Sequence, residues 1–206
     1  MDVSRPELLA LQPGTAGVLR VLSGADAAFT MRSIARLAGV SHTHVGRIIG
    51  SLVEQGVVYD EVQGASRLCR LNWSHLATGP LVELIRLHSR MIDLLRAELT
   101  SWELRPEHAS LFGSAARGDG DTSSDLDILL VRTDGVEGDH PTWRTQLYEA
   151  AERIRTATGN HVAWFDISRP ELQLAVDQGE AVIEEWRRDA VPLAGVELDE
   201  VLGSLE

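Results

Sequence analysis

The hydrophobic and polar positions divide the chain into stretches with different rhythms. Ala16, Leu19, Val21 and Leu22 stand at loose helical spacing behind Pro13, which predicts a helix over about Thr15–Leu22. A second helix is expected from about Met31 to Ala38, closed by Gly39, a residue that tolerates the positive φ of a C-cap. Ser41 can cap a third, with Val45, Ile48, Ile49, Leu52 and Val53 on its inner face and Gly56 closing it. Two strand-like runs, Val57 to Val62 and Arg67 to Asn72, then flank Gln63-Gly64-Ala65-Ser66 and read as a hairpin with Arg67 and Arg70 on one arm.

Two helices joined by a Gly-Val-Ser turn make a helix-turn-helix, and the hairpin that follows makes a wing. The exposed start of the second helix carries His42, Thr43, His44 and Arg47, which would face a DNA groove. Residues 10–73 thus resemble the winged helix-turn-helix domains of bacterial transcription regulators. The resemblance implies double-stranded DNA as a partner, met by Ser41, His42, Thr43, His44, Arg47 and Arg67. Such regulators often act as dimers on two-fold symmetric operators, so a homodimer is one expectation. A winged helix used only for protein contacts is the competing reading.

Beyond it, Thr78-Gly79-Pro80 opens a long helix. Leu81, Leu84, Ile85, His88, Ile92, Leu95, Leu99 and Trp102 form one stripe, thickened by Val82, Leu87, Met91 and Leu94. That is too much apolar face for a bare linker. His88 on the stripe reads as a satisfied core histidine. The expected organisation is a winged helix at 1–76, a linking helix at 77–104 and a second domain at 105–206.

In the second domain the pattern becomes strand, turn, strand. Leu111 and Phe112 end a short buried strand, and Gly113-Ser114 begin a helical turn whose backbone N–H groups and hydroxyl can hold phosphate oxygens. Arg117 lies one turn on, where it can add a fixed positive charge, and Gly118 lets the chain swing away. Asp125 and Asp127 follow on a strand that runs into Ile128-Leu129-Leu130-Val131, and a spacing of two puts both carboxylates on one face. Two hard oxygen donors beside a phosphate-holding turn suit Mg²⁺ bound jointly by protein and nucleotide. The acids at 119, 121 and 125 also suggest a calcium loop, but the glycine position holds Ser124 and the bidentate glutamate position holds Leu130.

Gly113-Ser-Ala-Ala-Arg-Gly118 followed by Ser124-Asp-Leu-Asp127 resembles the signature of the DNA polymerase beta superfamily of nucleotidyltransferases, especially its minimal bacterial members. The similarity covers about residues 105–195. It implies an α+β chain whose C-terminal part is a mixed sheet flanked by helices. It also implies a nucleoside triphosphate substrate, Mg²⁺ in a two-metal site, and transfer of a nucleoside monophosphate to an acceptor hydroxyl on a protein, RNA or small molecule. On this resemblance Gly113, Ser114, Arg117 and Ser124 bind nucleotide, and Asp125 and Asp127 bind metal. Partner-linked regulation, as in toxin and antitoxin pairs, is implied by the resemblance alone.

Relatives of this kind usually carry a third carboxylate on a later strand, here Asn160 to Ile167, after a helix from about Trp143 to Thr158. The first, catalytic position of that strand holds Ala163, and Asp166 stands at the second. Asp166 is the candidate third acid, through a bulge or a shifted register, and His161, which shares a face with Ala163, is an alternative base. Asp166 can equally cap the following segment, Ser168-Arg-Pro-Glu-Leu172. The rival function is a transcription regulator whose degenerate second domain binds nucleotide as a sensor; Ala163 favours it and the intact Asp125/Asp127 pair opposes it. The stretch from Glu171 to Trp186 is amphipathic and expected to cover the sheet, its charges reading as a solvated face.

Composition narrows the partners. The formal charge of −12 argues against non-specific coating of nucleic acid, but residues 1–75 hold seven Arg against six acids while the remainder holds twelve against twenty-five. The acidic excess therefore belongs to the second part. No apolar run approaches a membrane span, and Asp2, Arg5, Pro6 and Glu7 interrupt any secretory leader, so the expectation is a cytoplasmic protein with no membrane partner. The single cysteine, Cys69, reads as a buried strand thiol.

Overall fold

The computed structural model describes residues 1–64 and 66–204; Ala65, in the expected hairpin turn, lies outside them. The chain is α+β and forms two compact units. One is Pro6–Leu87; the other joins Met1–Arg5 to the chain from His88 onward.

The first unit contains α1 (Pro13–Ser23), β1 (Phe29–Thr30), α2 (Met31–Ala38), α3 (His42–Glu54), β2 (Val58–Gln63), β3 (Ser66–Leu71) and α4 (Thr78–Ile85). Polar residues fix where its helices start and stop. Thr30 Oγ1 accepts from Ser33 N at 3.1 Å to begin α2, Gly39 ends it at φ +64°, and Ser41 Oγ accepts from His44 N at 3.3 Å to begin α3. The sheet order is β1-β3-β2, antiparallel throughout, with the hairpin in register from Val58 opposite Leu71 to Gln63 opposite Ser66. Leu19, Leu22, Ile34, Val45 and Ile49 fill the core between helices and sheet. Cys69 is buried in β3, with its Sγ 3.7 Å from Met31 Sδ. This is a winged helix.

The stretch expected as one linking helix forms two: α4, and α5 (Leu87–Thr100). The break is at Arg86, where φ −90° and ψ 2° leave the helical region. Val82 of α4 is buried in the winged-helix core, whereas Met91, Leu95 and Leu99 of α5 are buried in that of the second unit. The apolar stripe serves two cores, so it need not be one continuous face.

The second unit continues with β4 (His108–Phe112), α6 (Gly113–Arg117), β5 (Leu126–Val131), α7 (Pro141–Thr158), β6 (Val162–Ile167), α8 (Arg169–Asp177), α9 (Ala181–Asp189), β7 (Val191–Gly195) and α10 (Leu198–Gly203). Its sheet has the order β6-β5-β4-β7; β5 and β6 are parallel, joined by the α7 crossover, and the other pairs are antiparallel. Alternation along the strands makes two buried faces. Leu111, Leu126, Ile128 and Leu130 pack with α5 and α7 through Leu95, Trp143 and Ile154. Phe112, Leu129 and Val131 pack with Leu172, Ile183, Trp186 and Val201 of α8, α9 and α10. The amphipathic stretch from Glu171 to Trp186 is interrupted at Gly179, whose φ of +63° separates α8 from α9.

The N-terminal pentapeptide belongs to this unit. Val3 is fully buried, and Asn160 Nδ2 donates to both Met1 O and Ser124 O at 3.0 Å.

Candidate functional site

β4 delivers the chain to a turn that favours glycine. Gly113 has φ +68°, and a Cβ placed there would stand 2.5 Å from Asp127 Oδ2. The register explains the closeness, because Phe112 is the cross-strand partner of Asp127. The five-residue α6 ends at Gly118, and the N–H groups of Gly118, Asp119 and Gly120 converge on Ser114 O at 3.0, 3.2 and 3.2 Å.

The loop back to β5 is held by Asp121. Its Oδ1 accepts from Ser123 N at 2.8 Å and Ser123 Oγ at 2.7 Å, which holds the carboxyl below its usual range. Ser124 Oγ accepts from Asp121 N at 2.9 Å. Ser124, expected at the nucleotide, thus closes the loop that aims Asp125.

Asp125 is exposed and Asp127 half-buried. Burial pushes the Asp127 carboxyl up, the negative charges of Asp125 and Glu185 add to the rise, and Arg117 opposes it. A carboxylate crowded in this way is relieved by a cation. The hard oxygen donors of Asp125 and Asp127, the latter closed over the backbone of Gly113, fit a divalent metal. Among the described residues no group of three or more His, Cys, Asp or Glu could hold a metal ion. Two protein carboxylates supplemented by phosphate oxygens is the mode Mg²⁺ usually takes with nucleotides.

The remaining expected residues lie elsewhere. Asp166 is aligned with Leu130, and its carboxylate accepts from Arg132 Nη1 at 2.7 Å and Trp143 Nε1 at 3.0 Å. It sits on the α7 side of the sheet, opposite Asp127, so the structure corrects its reading as a third catalytic acid. The strand is regular, with neither bulge nor shifted register against β5, and the residue aligned with Asp127 is Ala163. His161 precedes β6 and is exposed, its carbonyl accepting from Leu126 N at 2.8 Å.

Arg117, expected to support phosphate, meets carboxylates instead. It pairs with Asp189 at 2.9 Å, Glu185 at 3.1 Å and Asp119 at 3.2 Å. The Asp189 carboxyl is held down to about 2 by Arg188 and then Arg117. Glu185 and Asp189 are site residues that sequence reasoning missed; their spacing of four places them on one turn of α9, but nothing local ties them to Arg117.

In the winged helix, His42, Thr43, His44 and Arg47 are exposed at the start of α3, while the Ser41 hydroxyl is used as its cap. The His44 ring leans toward α1, where a Cβ on Gly14 would stand 3.1 Å from its Nε2. A hollow of about 750 Å³ opens in front of α3, lined by His42, Thr43, Arg67 of the wing and Arg32 of α2. Arg32 was not among the expected residues. Arg67 pairs with Asp60, and Arg70 lies over the Tyr59 ring at 4.8 Å.

No protein-family model matches the chain, and no curated protein matches it. Solved structures similar to it include a toxin–antitoxin with AMP-PNP, 18% identical, covering 54% of this chain and 78% of that one, at a TM-score of 0.38. A mutant of the toxin–antitoxin MntA-HpeT is 19% identical over 55% of this chain and 77% of its own, at 0.34. A MarR-family transcriptional regulator from Rhodococcus sp. RHA1 is 13% identical over 48% and 80%, at 0.36. All three scores lie below 0.5, and the reading of function rests on the chain's own geometry. Among the described residues no helix is long and apolar enough to cross a membrane.

Proposed function

We propose that the chain is a DNA-binding winged-helix protein whose second unit transfers a nucleoside monophosphate from a nucleoside triphosphate to an acceptor hydroxyl, with Mg²⁺. The observation that carries this reading is the approach of Asp127 over Gly113, with Asp125 two residues before it, just ahead of β5. Asp125 and Asp127 would hold the metal, which when bound neutralises the triphosphate and stabilises displacement at phosphorus. Gly113, lacking a Cβ, lets the Asp127 carboxylate close over the backbone, and the Ser114 hydroxyl can donate to phosphate. The loop closed by Asp121, Ser123 and Ser124 holds the carboxylate pair in place, so little ordering is left to the moment of binding. DNA binding is supported by the exposed polar start of α3 and by Arg32 and Arg67 flanking the hollow before it.

A second reading, a regulator that binds nucleotide without transferring it, is favoured by Ala163 standing beside Asp127 where a third strand carboxylate would reach the pair. Incubation with each α-³²P-labelled nucleoside triphosphate, Mg²⁺ and cell extract separates the two. Label in protein, RNA or small molecules that disappears in the Asp125→Ala/Asp127→Ala double variant supports transfer and identifies the acceptor class. Nucleotide binding without transfer supports the sensor. Wild-type nucleotide binding in the double variant would refute the site itself.

A further inference from the structure

An attacking hydroxyl must lose a proton, and Asp125 and Asp127, once engaged with a cation, are poor acceptors for it. Neighbouring β6 offers none on that face, since Ala163 aligns with Asp127 and Asp166 is fastened to Arg132 and Trp143 on the other. α9 does. Ile183 and Trp186 anchor it to Phe112 and Leu129, on the sheet face that carries Asp127. Between those anchors Glu185 is half-buried, and its Oε1 accepts from Arg117 Nη1 at 3.1 Å.

From this placement, and resting on the transferase reading above, we infer that Glu185 is the general base of the reaction, supplied by a helix rather than by the strand. Arg117 belongs to the turn that begins at Gly113 and is itself fixed by Asp189 and Asp119, so it orients Glu185 from the phosphate side of the site. Among the described residues, Glu185 Oε2 has no hydrogen-bond partner and is free to accept. Among the described residues, the ring of His161, the alternative base, has no such orienting bond. Among the described residues Glu185 does not form a three-carboxylate group with the Asp pair, so its role as acceptor rests on its place beside Arg117.

In the step, the acceptor oxygen forms a bond to the α-phosphorus as its proton passes to the Glu185 carboxylate. The bond from that phosphorus to the bridging oxygen breaks, and pyrophosphate leaves with the electron pair. Glu185 then returns its proton to solvent.

Glu185→Gln isolates this role because the amide oxygen still accepts from Arg117. Transfer of α-³²P label to the acceptor fraction is measured in the wild type, Glu185→Gln, Glu185→Asp, His161→Asn and Glu184→Gln, alongside calorimetric binding of Mn²⁺ with an α,β-methylene triphosphate. Glu185→Gln is expected to lower kcat at least 100-fold, with KM and Mn²⁺ affinity within threefold and Glu185→Asp recovering part of the rate. Glu184→Gln, one residue away and paired with Arg187, is expected to match the wild type. A Glu185→Gln kcat within threefold of the wild type overturns the assignment, as does loss of kcat in His161→Asn alone. Loss of Mn²⁺ binding in Glu185→Gln overturns it in favour of a ligand. A wild type that transfers no label fails the transferase reading, and this inference with it.

Discussion

Gly113 and Asp127 approach so closely that a Cβ at 113 would lie 2.5 Å from Asp127 Oδ2, on a backbone already at φ +68°. Gly113→Ala therefore meets two costs at once. The left-handed backbone disfavours alanine by about 1–2 kcal/mol. The carboxylate, being the far end of a side chain, can move away, and in doing so it leaves the position from which it would hold a cation with Asp125. The expected outcome is a folded protein with a modestly lower urea midpoint and at least tenfold weaker binding of the Mg²⁺ complexes of the four nucleoside triphosphates. Unchanged nucleotide affinity in a folded Gly113→Ala protein would separate this turn from binding.

Asp166 carries a different expectation, because its partners are structural. It accepts from Arg132, whose side chain is only 9% exposed, and from the indole of Trp143, which is fully buried. Asp166→Ala leaves a buried guanidinium with, among the described residues, only Glu171 to pair with, and breaking such a pair costs about 3 kcal/mol. Chemical denaturation should show that loss, whereas nucleotide affinity and label transfer of the folded fraction should stay within twofold of the wild type. A tenfold fall in kcat at unchanged stability would return Asp166 to the active site.

The winged helix was legible because its signals are local. Thr30, Gly39 and Ser41 mark helix ends within a few residues of the turns they govern, and the apolar spacing of α3 names its buried side. The Gly-Ser turn and the Asp pair were legible for the same reason. The two helices at 78–100 were not separable, since periodicity reports which positions are apolar and not which core receives them. Asp166 could be placed opposite Ala163 by alternation, but its bond to Trp143 depends on a helix crossover. Arg117 was assigned to phosphate on the strength of its neighbours; its carboxylate partners at 185 and 189 lie some seventy positions along, and only the packing of α9 on the sheet brings them to it.

His108 should make stability depend on pH near neutrality. It is buried in β4 with Nδ1 donating to Val196 O at 2.7 Å and Nε2 3.0 Å from the Ser110 hydroxyl, which donates to it when the ring is neutral. Burial lowers its proton affinity from the ordinary value near 6.5. With the folded pKa below the unfolded one, the unfolded state binds the proton first. Stability is then complete above about pH 6.5 and declines as pH falls toward the folded pKa. Urea midpoints at pH 7.5 and 5.5 should fall in the wild type and fall less in His108→Gln; parallel declines would assign the effect to other groups.

The hollow before α3 divides DNA contacts into two kinds with different salt behaviour. Arg47 and Thr43 stand exposed on the helix that would enter the groove, whereas Arg32 and Arg67 stand at the hollow's sides, where a phosphate backbone would pass. Arg67 is partly neutralised by Asp60, so its substitution removes less positive charge than that of Arg32. After a bound sequence is selected from a random duplex library, Arg47→Ala should cost about 1–3 kcal/mol on that sequence and little on non-specific DNA. Arg32→Ala should weaken both alike and lower the slope of log K against log salt by about 1. Arg67→Ala should do the same to a smaller extent. Failure to select any duplex, with the winged helix folded, would leave protein contact as the role of this unit; equal losses for Arg47→Ala on both kinds of DNA would move Arg47 from base reading to the phosphate class.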